Sequence, residues 1–336
     1  MKNSVQRWDI YNEALEEINT WLSDTEDNIK ETPDSKGQLG EMKTSSQRFK
    51  YIAEELKKKQ EAMEKLKKEA RELSTMSNDE SIYQQFIEVE VRLDQNYKRC
   101  QELKEFIEKE VEEYNTYQQN MQETEKWLLQ ISFQLMAHNS LYITTREQTQ
   151  QQLEQHETLL DQIKLYQASL EKVMAKGEAQ VARYISSNPD IKATIDKQHQ
   201  NVQESYNSLL HIATQIKNRL TDSLEKFKEY EETLESTIEN IEKWEPEIAE
   251  ELEKPIDTIE MARNELDKIR GIHKRLQNEK SRLATSIQAC ETATASISRP
   301  TSPIDNENDV MHKRENDAKL KLEDLIDQVG QKDVVY

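Results

Sequence analysis

Glycine and proline are scarce in this sequence. Its 336 residues include 5 Gly and 6 Pro, where average usage of the two would give roughly forty. Turn-rich all-β folds and α/β folds that cradle phosphate in glycine loops need more of both, so this scarcity argues against them. Cysteine is scarcer still. Cys100 and Cys290 form no C-x-x-C pair, which excludes a disulfide framework and indicates a reducing cytoplasmic compartment.

Long apolar runs are absent as well. No stretch approaches 18 apolar residues and no secretory leader follows Met1, so the chain is not expected to cross a membrane, and a membrane anchor would lie outside it. The net charge is −20, from 46 Lys and Arg against 66 Asp and Glu. The basic residues are nowhere segregated, since those between positions 57 and 71 are interspersed with glutamates. This balance argues against binding to nucleic acid phosphates or anionic membrane surfaces.

The periodicity of the apolar residues decides between disorder and helix. The mean hydropathy of −0.97 fits a disordered chain as well as a solvated helical one. Residues 41–176 contain neither Gly nor Pro, and from Ile82 to Leu135 steps of four and three residues meet apolar side chains at thirteen of sixteen positions. A second such seam runs from Tyr206 to Ile248. A disordered chain has no reason to keep this phase, so the sequence predicts a mostly α-helical protein.

Three tryptophans mark an internal repeat. Trp21, Trp127 and Trp244 are 106 and 117 residues apart, and apolar residues recur at the same offsets around the first two and partly around the third. Two interruptions by helix-breaking residues follow each tryptophan at corresponding places. They are centred near Pro33 and Asn78, Asn139 and Pro189, and Pro255 and Pro300. Each repeat is therefore expected to contain three helices.

No breaker separates the third helix of one repeat from the first helix of the next. Residues 92–135 and 190–245 are expected to form continuous helices across these two joints. Pro246 is expected to kink or interrupt its helix, because it lacks a backbone donor and clashes with the preceding turn. Capping boxes beginning at Ser77, Thr144 and Asp257 predict three of the helix starts.

The predicted fold is all-α, with three tandem three-helix bundles joined by continuous helices into a rod on the order of 150 Å long. The predicted units span residues 1–112, 113–221 and 222–336, and the last helix of the third unit offers few apolar residues and is expected to be incomplete. Two other architectures use long helices: a homodimeric coiled-coil filament and a membrane-shaping helical dimer. The second needs a basic face, which the charge distribution does not provide.

These features resemble spectrin repeats over essentially the whole chain. A histidine stands 29 residues after the tryptophan in the second and third units, where the first unit has Lys50, and an aromatic residue recurs in the third helix. The resemblance implies a structural core that includes Trp21, Trp127, Trp244, His156, His273, Tyr97 and Tyr206. The polar, Gln- and Glu-rich repeats are most similar to giant cytoskeletal linkers, nesprins first, with dystrophin-like and plakin proteins as alternatives.

The resemblance implies a non-enzymatic rod that sets spacing and bears tension in a cytoskeletal linker. Likeness to nesprins would add a connection between the nuclear envelope and actin, made by regions outside this chain. The expected location is cytoplasmic and cytoskeletal, with the outer nuclear membrane reached through a separate anchor. The expected partners are proteins that bind helical faces, with no nucleic acid and no direct membrane insertion, and the rod itself is expected to be monomeric.

Motifs for chemistry are missing. None of the six histidines stands in a zinc-binding pattern, and there is no GxGxxG, P-loop or G-x-S-x-G, so we expect neither catalysis nor a cofactor or metal. Ser302 precedes Pro303 in the form of a proline-directed phosphorylation site, with Arg299 nearby to pair a phosphate. The Gln-rich middle unit carries the smallest net charge of the three, −2, so a protein could dock there at little electrostatic cost.

Overall fold

The computed structural model describes residues 2–139, 145–297 and 310–335. Within these ranges the chain is helical and contains no strand, which confirms the all-α prediction. The helices are α1 (Lys2–Ile29), α2 (Leu39–Ser77), α3 (Ser81–His138), α4 (Arg146–Tyr184), α5 (Asp190–Glu253), α6 (Ile259–Ala295) and α7 (Val310–Val335). No helix in the described ranges is apolar over enough of its length to cross a bilayer.

Two of the helices are much longer than the others. Helix α3 has 58 residues and α5 has 64, so both predicted continuous stretches lie within single helices. The predicted unit boundaries after residues 112 and 221 therefore fall inside α3 and α5. Helix α5 also continues through Pro246 to Glu253, so the interruption considered at this proline is absent. The ring costs the helix one backbone hydrogen bond and does not end it.

The turn between α2 and α3 differs from its predicted capping. Ser77 is the last residue of α2, where its hydroxyl donates to the Leu73 carbonyl (2.8 Å). Asn78 then adopts the left-handed conformation (φ 54°) that ends many helices. The Asp79 carboxylate accepts from the amide of Ser81 (2.9 Å) and so caps α3. The capping box placed at Ser77 is therefore wrong, because this serine still belongs to the preceding helix.

Helix α6 begins one residue later than its predicted capping box requires. Thr258, with extended backbone, is the N-cap, and its hydroxyl accepts from the amide of Met261 (3.2 Å). The prediction of Asp257 as the cap is wrong by one position, since Ser, Thr and Asp compete for this role on similar terms. The third predicted cap, Thr144, lies outside the described residues.

The chain divides into two compact units. The first unit, Met1–Glu125 with Ala168–Val202, has a core formed by α1, α2 and the first part of α3. Leu22, Phe49 and Phe86 are fully buried there, one from each helix. A smaller cluster of Met42, Tyr184, Ile191 and Ile195 lies elsewhere in the same unit. Both clusters arise because apolar residues repeat every three or four positions, which places them along one side of each helix.

The second unit comprises Lys126–Gln167 and Gln203–Tyr336. Its main core is formed by the last part of α5 together with α6 and α7, where Leu234, Leu276 and Leu322 are fully buried. Helix α7, from the part of the sequence predicted to be poor in apolar residues, also buries Leu325 and Val329 in this core. At 26 residues α7 is shorter than α6, which has 37.

Candidate functional site

Each of the three repeat tryptophans is half-buried at the edge of a core. Trp21 packs against the first core, with the Lys59 ammonium 5.7 Å from its ring. Trp244 packs against the α5–α6–α7 core, with the Arg275 guanidinium 4.5 Å from its ring. In both cases a cation from the following helix lies over the ring, an arrangement that adds cation–π attraction.

Trp127 has a different neighbour. Its ring stacks on that of Tyr166 in α4, with centroids 3.6 Å apart and planes at 6°. The tryptophans therefore join α1 to α2, α3 to α4 and α5 to α6.

The other residues of the implied core occupy unequal environments. Tyr206 is buried, and its hydroxyl donates to the Ile163 carbonyl (2.8 Å). Tyr97 is half-buried against the first core. His156 is fully buried, whereas His273 is half-buried beside Gln277.

The exposed Lys50 occupies the corresponding position of the first repeat. The candidate phosphorylation site Ser302 lies outside the described residues.

His156 is paired with a second histidine that the sequence did not single out. Its Nδ1 lies 3.0 Å from Nδ1 of His138, the last residue of α3, and its Nε2 lies 2.6 Å from the carbonyl oxygen of Ala213 in α5. Because a carbonyl only accepts, Nε2 of His156 carries a hydrogen. In the neutral ring Nδ1 then accepts, so His138 donates. The pair connects α3, α4 and α5 through hydrogen bonds that require neutral His156.

The protonation of this pair is disfavoured by its surroundings. Burial lowers the pKa of His156, and the nearby Lys217 ammonium lowers it further against the opposing influence of the Ala213 carbonyl and Glu157. Burial and the neighbouring His156 lower the pKa of His138. Both rings are therefore held neutral over more of the acidic range than an exposed histidine.

A second polar contact joins α3 to α5 in the first unit, and α4 packs against it. The Tyr117 hydroxyl lies 3.1 Å from Gln198 Oε1 and 3.1 Å from His199 Nε2. Since Gln198 Oε1 only accepts, the hydroxyl donates to it and accepts from His199. Gly177 of α4 makes this approach possible, because a Cβ there would lie 2.7 Å from Cε1 of His199 and 2.9 Å from the Tyr117 ring.

Glu110 is a buried carboxylate in the middle of α3, only 3% exposed. Its Oε1 accepts from the Tyr184 hydroxyl (2.5 Å) and, at 3.5 Å, from Ser35, while its Oε2 has no hydrogen-bond partner. Burial raises the pKa of Glu110, and the opposing effects of Tyr184, Arg183 and Ser35 are smaller. Glu110 therefore keeps its proton to higher pH than an exposed glutamate does.

The turn between α1 and α2 packs beside this carboxylate. Gly37 has a φ of 68°, and a Cβ on it would lie 2.7 Å from Cδ1 of Ile191 and 2.9 Å from the Tyr184 ring. The Asn188 amide donates to the Lys36 carbonyl (2.9 Å). The left-handed backbone and the close approach both require glycine at position 37. The turn therefore packs closely against the end of α4 and the start of α5.

Ion pairs also join the helices of the first unit. Arg92 of α3 pairs with Glu26 of α1 (2.8 Å), and Arg7 of α1 pairs with Glu69 of α2 (2.7 Å). These groups are about one-third exposed. Solvent screens such pairs, so they help to orient the helices and contribute little to stability.

The described residues offer no arrangement for metal chemistry, since no group of three or more His, Cys, Asp or Glu among them could hold an ion. The buried polar side chains described above instead form contacts between neighbouring helices. These contacts maintain the packing of α3, α4 and α5.

Comparison with known proteins relates the chain to a much longer protein. Over 328 residues it is 47% identical to the "Muscle-specific protein 300 kDa" of Drosophila melanogaster, an alignment that covers 98% of this chain and 3% of that protein. The chain resembles a segment of a large muscle protein. A family model described as CDK5 regulatory subunit-associated protein 3 also matches residues 3–123, which include α1, α2 and most of α3.

Two buried polar contacts were missed by reasoning from the sequence. His138 stands at a predicted helix end, where its pairing with His156 depends on how α3 and α4 approach. Glu110 did give a signal, because it is a polar residue at a position of the apolar seam. The other two polar seam positions, Asn96 and Thr124, are also buried, so polar residues on a seam identify the buried polar contacts.

Proposed function

We propose that the chain is a non-enzymatic structural segment of a large muscle cytoskeletal protein. It consists of three tandem spectrin-like three-helix bundles joined through α3 and α5 into a semi-rigid, monomeric rod. The rod sets distance, bears tension and offers helical faces to protein partners. Its place is in the cytoplasm, in an assembly connected to actin by regions outside this chain.

The course of α3 carries the proposal. Its first part contributes Phe86 and Ile107 to the core with α1 and α2, and its last part places Trp127 on α4. The helix has no break between these contacts. A helix shared in this way transmits bending and torque from one bundle to the next, whereas a flexible linker would not.

The finer placement between the nuclear envelope and actin rests on the resemblance to nesprins. The similarity to a muscle-specific protein fits a cell type in which nuclei and filaments sustain load. No residue of this chain forms the envelope anchor in the proposal, and the connection would be made at both ends by other parts of a longer protein.

Single-molecule pulling between the two chain ends tests the rod. Three bundles of about 110 residues should unfold in steps, each releasing roughly 350–400 Å of extended chain. Because the joints are continuous helices, part of the molecules should release two bundles in one step of double length. A single step for the whole chain would contradict the tandem arrangement.

A helix-breaking variant sharpens this experiment. Glu112 is exposed in the middle of α3, and Glu112→Pro should interrupt that helix at a cost of about 3 kcal/mol. Double-length steps that include the first bundle should then become rare. The matched control Glu112→Ala removes the same side chain and keeps the helix, so it should behave as the unaltered chain. Equal step patterns in the two variants would show that α3 does not couple the bundles.

A further inference from the structure

The turn between α1 and α2 contains a threonine that precedes a proline. Of the six prolines in the sequence, two follow Ser or Thr: Pro33 and Pro303. Thr32 is exposed, and residues 32–35 form no helix or turn. Because the residue before a proline favours extended backbone, the Thr32 hydroxyl is presented in an open, extended segment. An enzyme that recognises a Thr-Pro pair can bind such a segment along its backbone.

The segment around Thr32 is anchored at both ends. Ile29, the last residue of α1, is 2% exposed, and Ser35 is fully buried. Between these two anchors, residues 30–34 are exposed apart from the half-buried Pro33. A modifying enzyme can therefore reach the hydroxyl while the anchors stay buried in the bundle.

A guanidinium already contacts the Thr32 hydroxyl. Nη2 of Arg99 in α3 donates to Oγ1 of Thr32 (3.3 Å), and Nη1 of the same side chain pairs with the Glu102 carboxylate (3.6 Å). A phosphate on Oγ1 would bring a charge near −2 and three strong acceptor oxygens to this guanidinium. Since arginine binds phosphate through two parallel N–H donors, the phosphate should displace the Glu102 carboxylate.

The charges that flank Thr32 in the sequence are balanced. Two basic and two acidic side chains, all exposed, lie within four residues of it: Lys30, Lys36, Glu31 and Asp34. Solvent screens these charges, and their sum is zero. A phosphate on Thr32 therefore meets no net repulsion from the turn, and it has a specific partner in Arg99.

We propose that Thr32 is a proline-directed phosphorylation site and that Arg99 binds its phosphate. A protein kinase transfers the γ-phosphoryl group of ATP. The bond between the γ-phosphorus and the β,γ-bridging oxygen breaks, a bond from that phosphorus to Oγ1 of Thr32 forms, ADP leaves, and the hydroxyl proton passes to the base of the kinase. The phosphate then fastens the turn between α1 and α2 to α3.

Treatment of the full chain with a purified proline-directed kinase, ATP and Mg²⁺ tests the site. The chain carries Ser302→Ala, so Thr32-Pro33 is its remaining Ser/Thr-Pro pair. Mass spectrometry should place one phosphate on Thr32, and Thr32→Val, of similar shape, should accept none. Pro33→Ala keeps the hydroxyl and should be phosphorylated about tenfold more slowly or less, because it removes the contact by which the kinase selects its substrate.

Hydrogen exchange measures whether Arg99 holds the phosphate. The turn has two hydrogen-bonded amides, that of Lys36, which donates to Asp34 Oδ1 (2.9 Å), and that of Gln38, which donates to the Ser35 carbonyl (2.9 Å). In the phosphorylated chain, the peptide that contains them should exchange about two- to fivefold more slowly, which is the gain expected from an exposed charge pair.

Two variants separate this pairing from a general effect of charge. Arg99→Gln should be phosphorylated like the unaltered chain and should lose the slower exchange, because it removes the guanidinium. Lys98→Gln removes an exposed cation from the neighbouring position of α3 and should keep the slower exchange.

Three outcomes would overturn the inference. They are a full chain without phosphate on Thr32, equal phosphorylation rates with and without Pro33, and slower exchange that persists in Arg99→Gln. In the first case, modification of a free peptide of residues 27–37 would show that the folded turn withholds the hydroxyl. None of these results depends on stepwise unfolding in the pulling experiment, so the modification site and the rod are tested separately.

Discussion

Replacing Gly177 by alanine should destabilise the contact of α3, α4 and α5, although alanine is the better helix former. Gly177 lies inside α4, where Gly→Ala ordinarily stabilises by up to about 1 kcal/mol. Here the added Cβ would lie 2.7 Å from Cε1 of His199 and 2.9 Å from the Tyr117 ring. Ordinary contact needs at least about 3.5 Å between carbon atoms, so the rings must move.

The magnitude follows from these opposing contributions. Forcing a methyl group into a packed site costs about 1–3 kcal/mol. Moving Tyr117 or His199 also weakens two side-chain hydrogen bonds that contribute about 1 kcal/mol each, and losing half of that contribution adds about 1 kcal/mol. After subtraction of the helix gain, the packing around Gly177 should lose about 1–3 kcal/mol. That range corresponds to local opening that is roughly 5- to 150-fold more frequent.

Hydrogen exchange followed by mass spectrometry measures this effect locally. Amides of α4 near Gly177 should exchange faster in Gly177→Ala. Gly271 is the matched control, because it lies inside α6 with no atom within 4 Å of an added Cβ. Gly271→Ala should slow exchange in α6. In a chain that also carries His199→Ala, the Gly177→Ala change should lose much of its cost, because part of the obstructing side chain is gone.

Slower exchange around residue 177 in Gly177→Ala, equal to the effect at residue 271, would refute the reasoning. It would mean that Tyr117 and His199 do not pack against Gly177, and that α3, α4 and α5 are not joined at this point.

Three further predictions concern buried polar groups and a turn. Folding lowers the pKa of His138 and His156, so the unfolded chain binds more protons than the folded chain in acid. Thermal stability should therefore fall as the pH drops below about 6.5, and His156→Gln should reduce that dependence. Glu110→Gln should raise the free energy of unfolding at pH 7 by about 1 kcal/mol, because a buried acid that ionises above about pH 4.5 destabilises the fold. Urea titrations at several pH values should show that the free energy of unfolding falls less with rising pH in this variant. Gly37→Ala should destabilise by about 1–3 kcal/mol in the same assay, because it adds both a strained positive φ and contact with Tyr184.

Each of these predictions has a control and a contradicting result. His211→Gln changes an exposed histidine of α5 and should leave the acid dependence intact; loss of the dependence in this variant would exclude the buried pair as its source. A less stable Glu110→Gln at pH 7 would mean that the ionised carboxylate is needed. Gly40→Ala, with no atom within 4 Å of its added Cβ, should be harmless beside Gly37→Ala, and equal effects would contradict the packing of the turn.

The periodicity of the sequence predicted the helices well because burial follows the seam. Of its three polar positions, even Asn96 and Thr124 are buried with their apolar neighbours. The continuity of α3 and α5 followed from the lack of breakers, and the scarcity of Gly and Pro made most helix ends visible. Single caps were harder, as Ser77 and Asp257 show, because neighbouring Ser, Thr and Asp residues satisfy the same end equally well.

Contacts between helices could not be read from the sequence to the same depth. Pairing of His138 with His156 depends on where two helices cross, and the tolerance of Gly177 for neighbouring rings depends on their separation. The tryptophans illustrate the same limit. Their positions revealed the repeat, yet their half-burial beside Lys59, Tyr166 and Arg275 depends on the residues of the adjacent helix.

Light scattering coupled to small-angle X-ray scattering on the purified chain tests the tandem rod most directly. A tandem rod should be a monomer near 39.6 kDa with a maximum dimension of roughly 150 Å, from three helix lengths of about 30 residues each along the axis. A radius of gyration near 20 Å, as for a compact globule of this length, would contradict it. A dimer of twice the predicted length would contradict it equally, because the seams would then pair between chains.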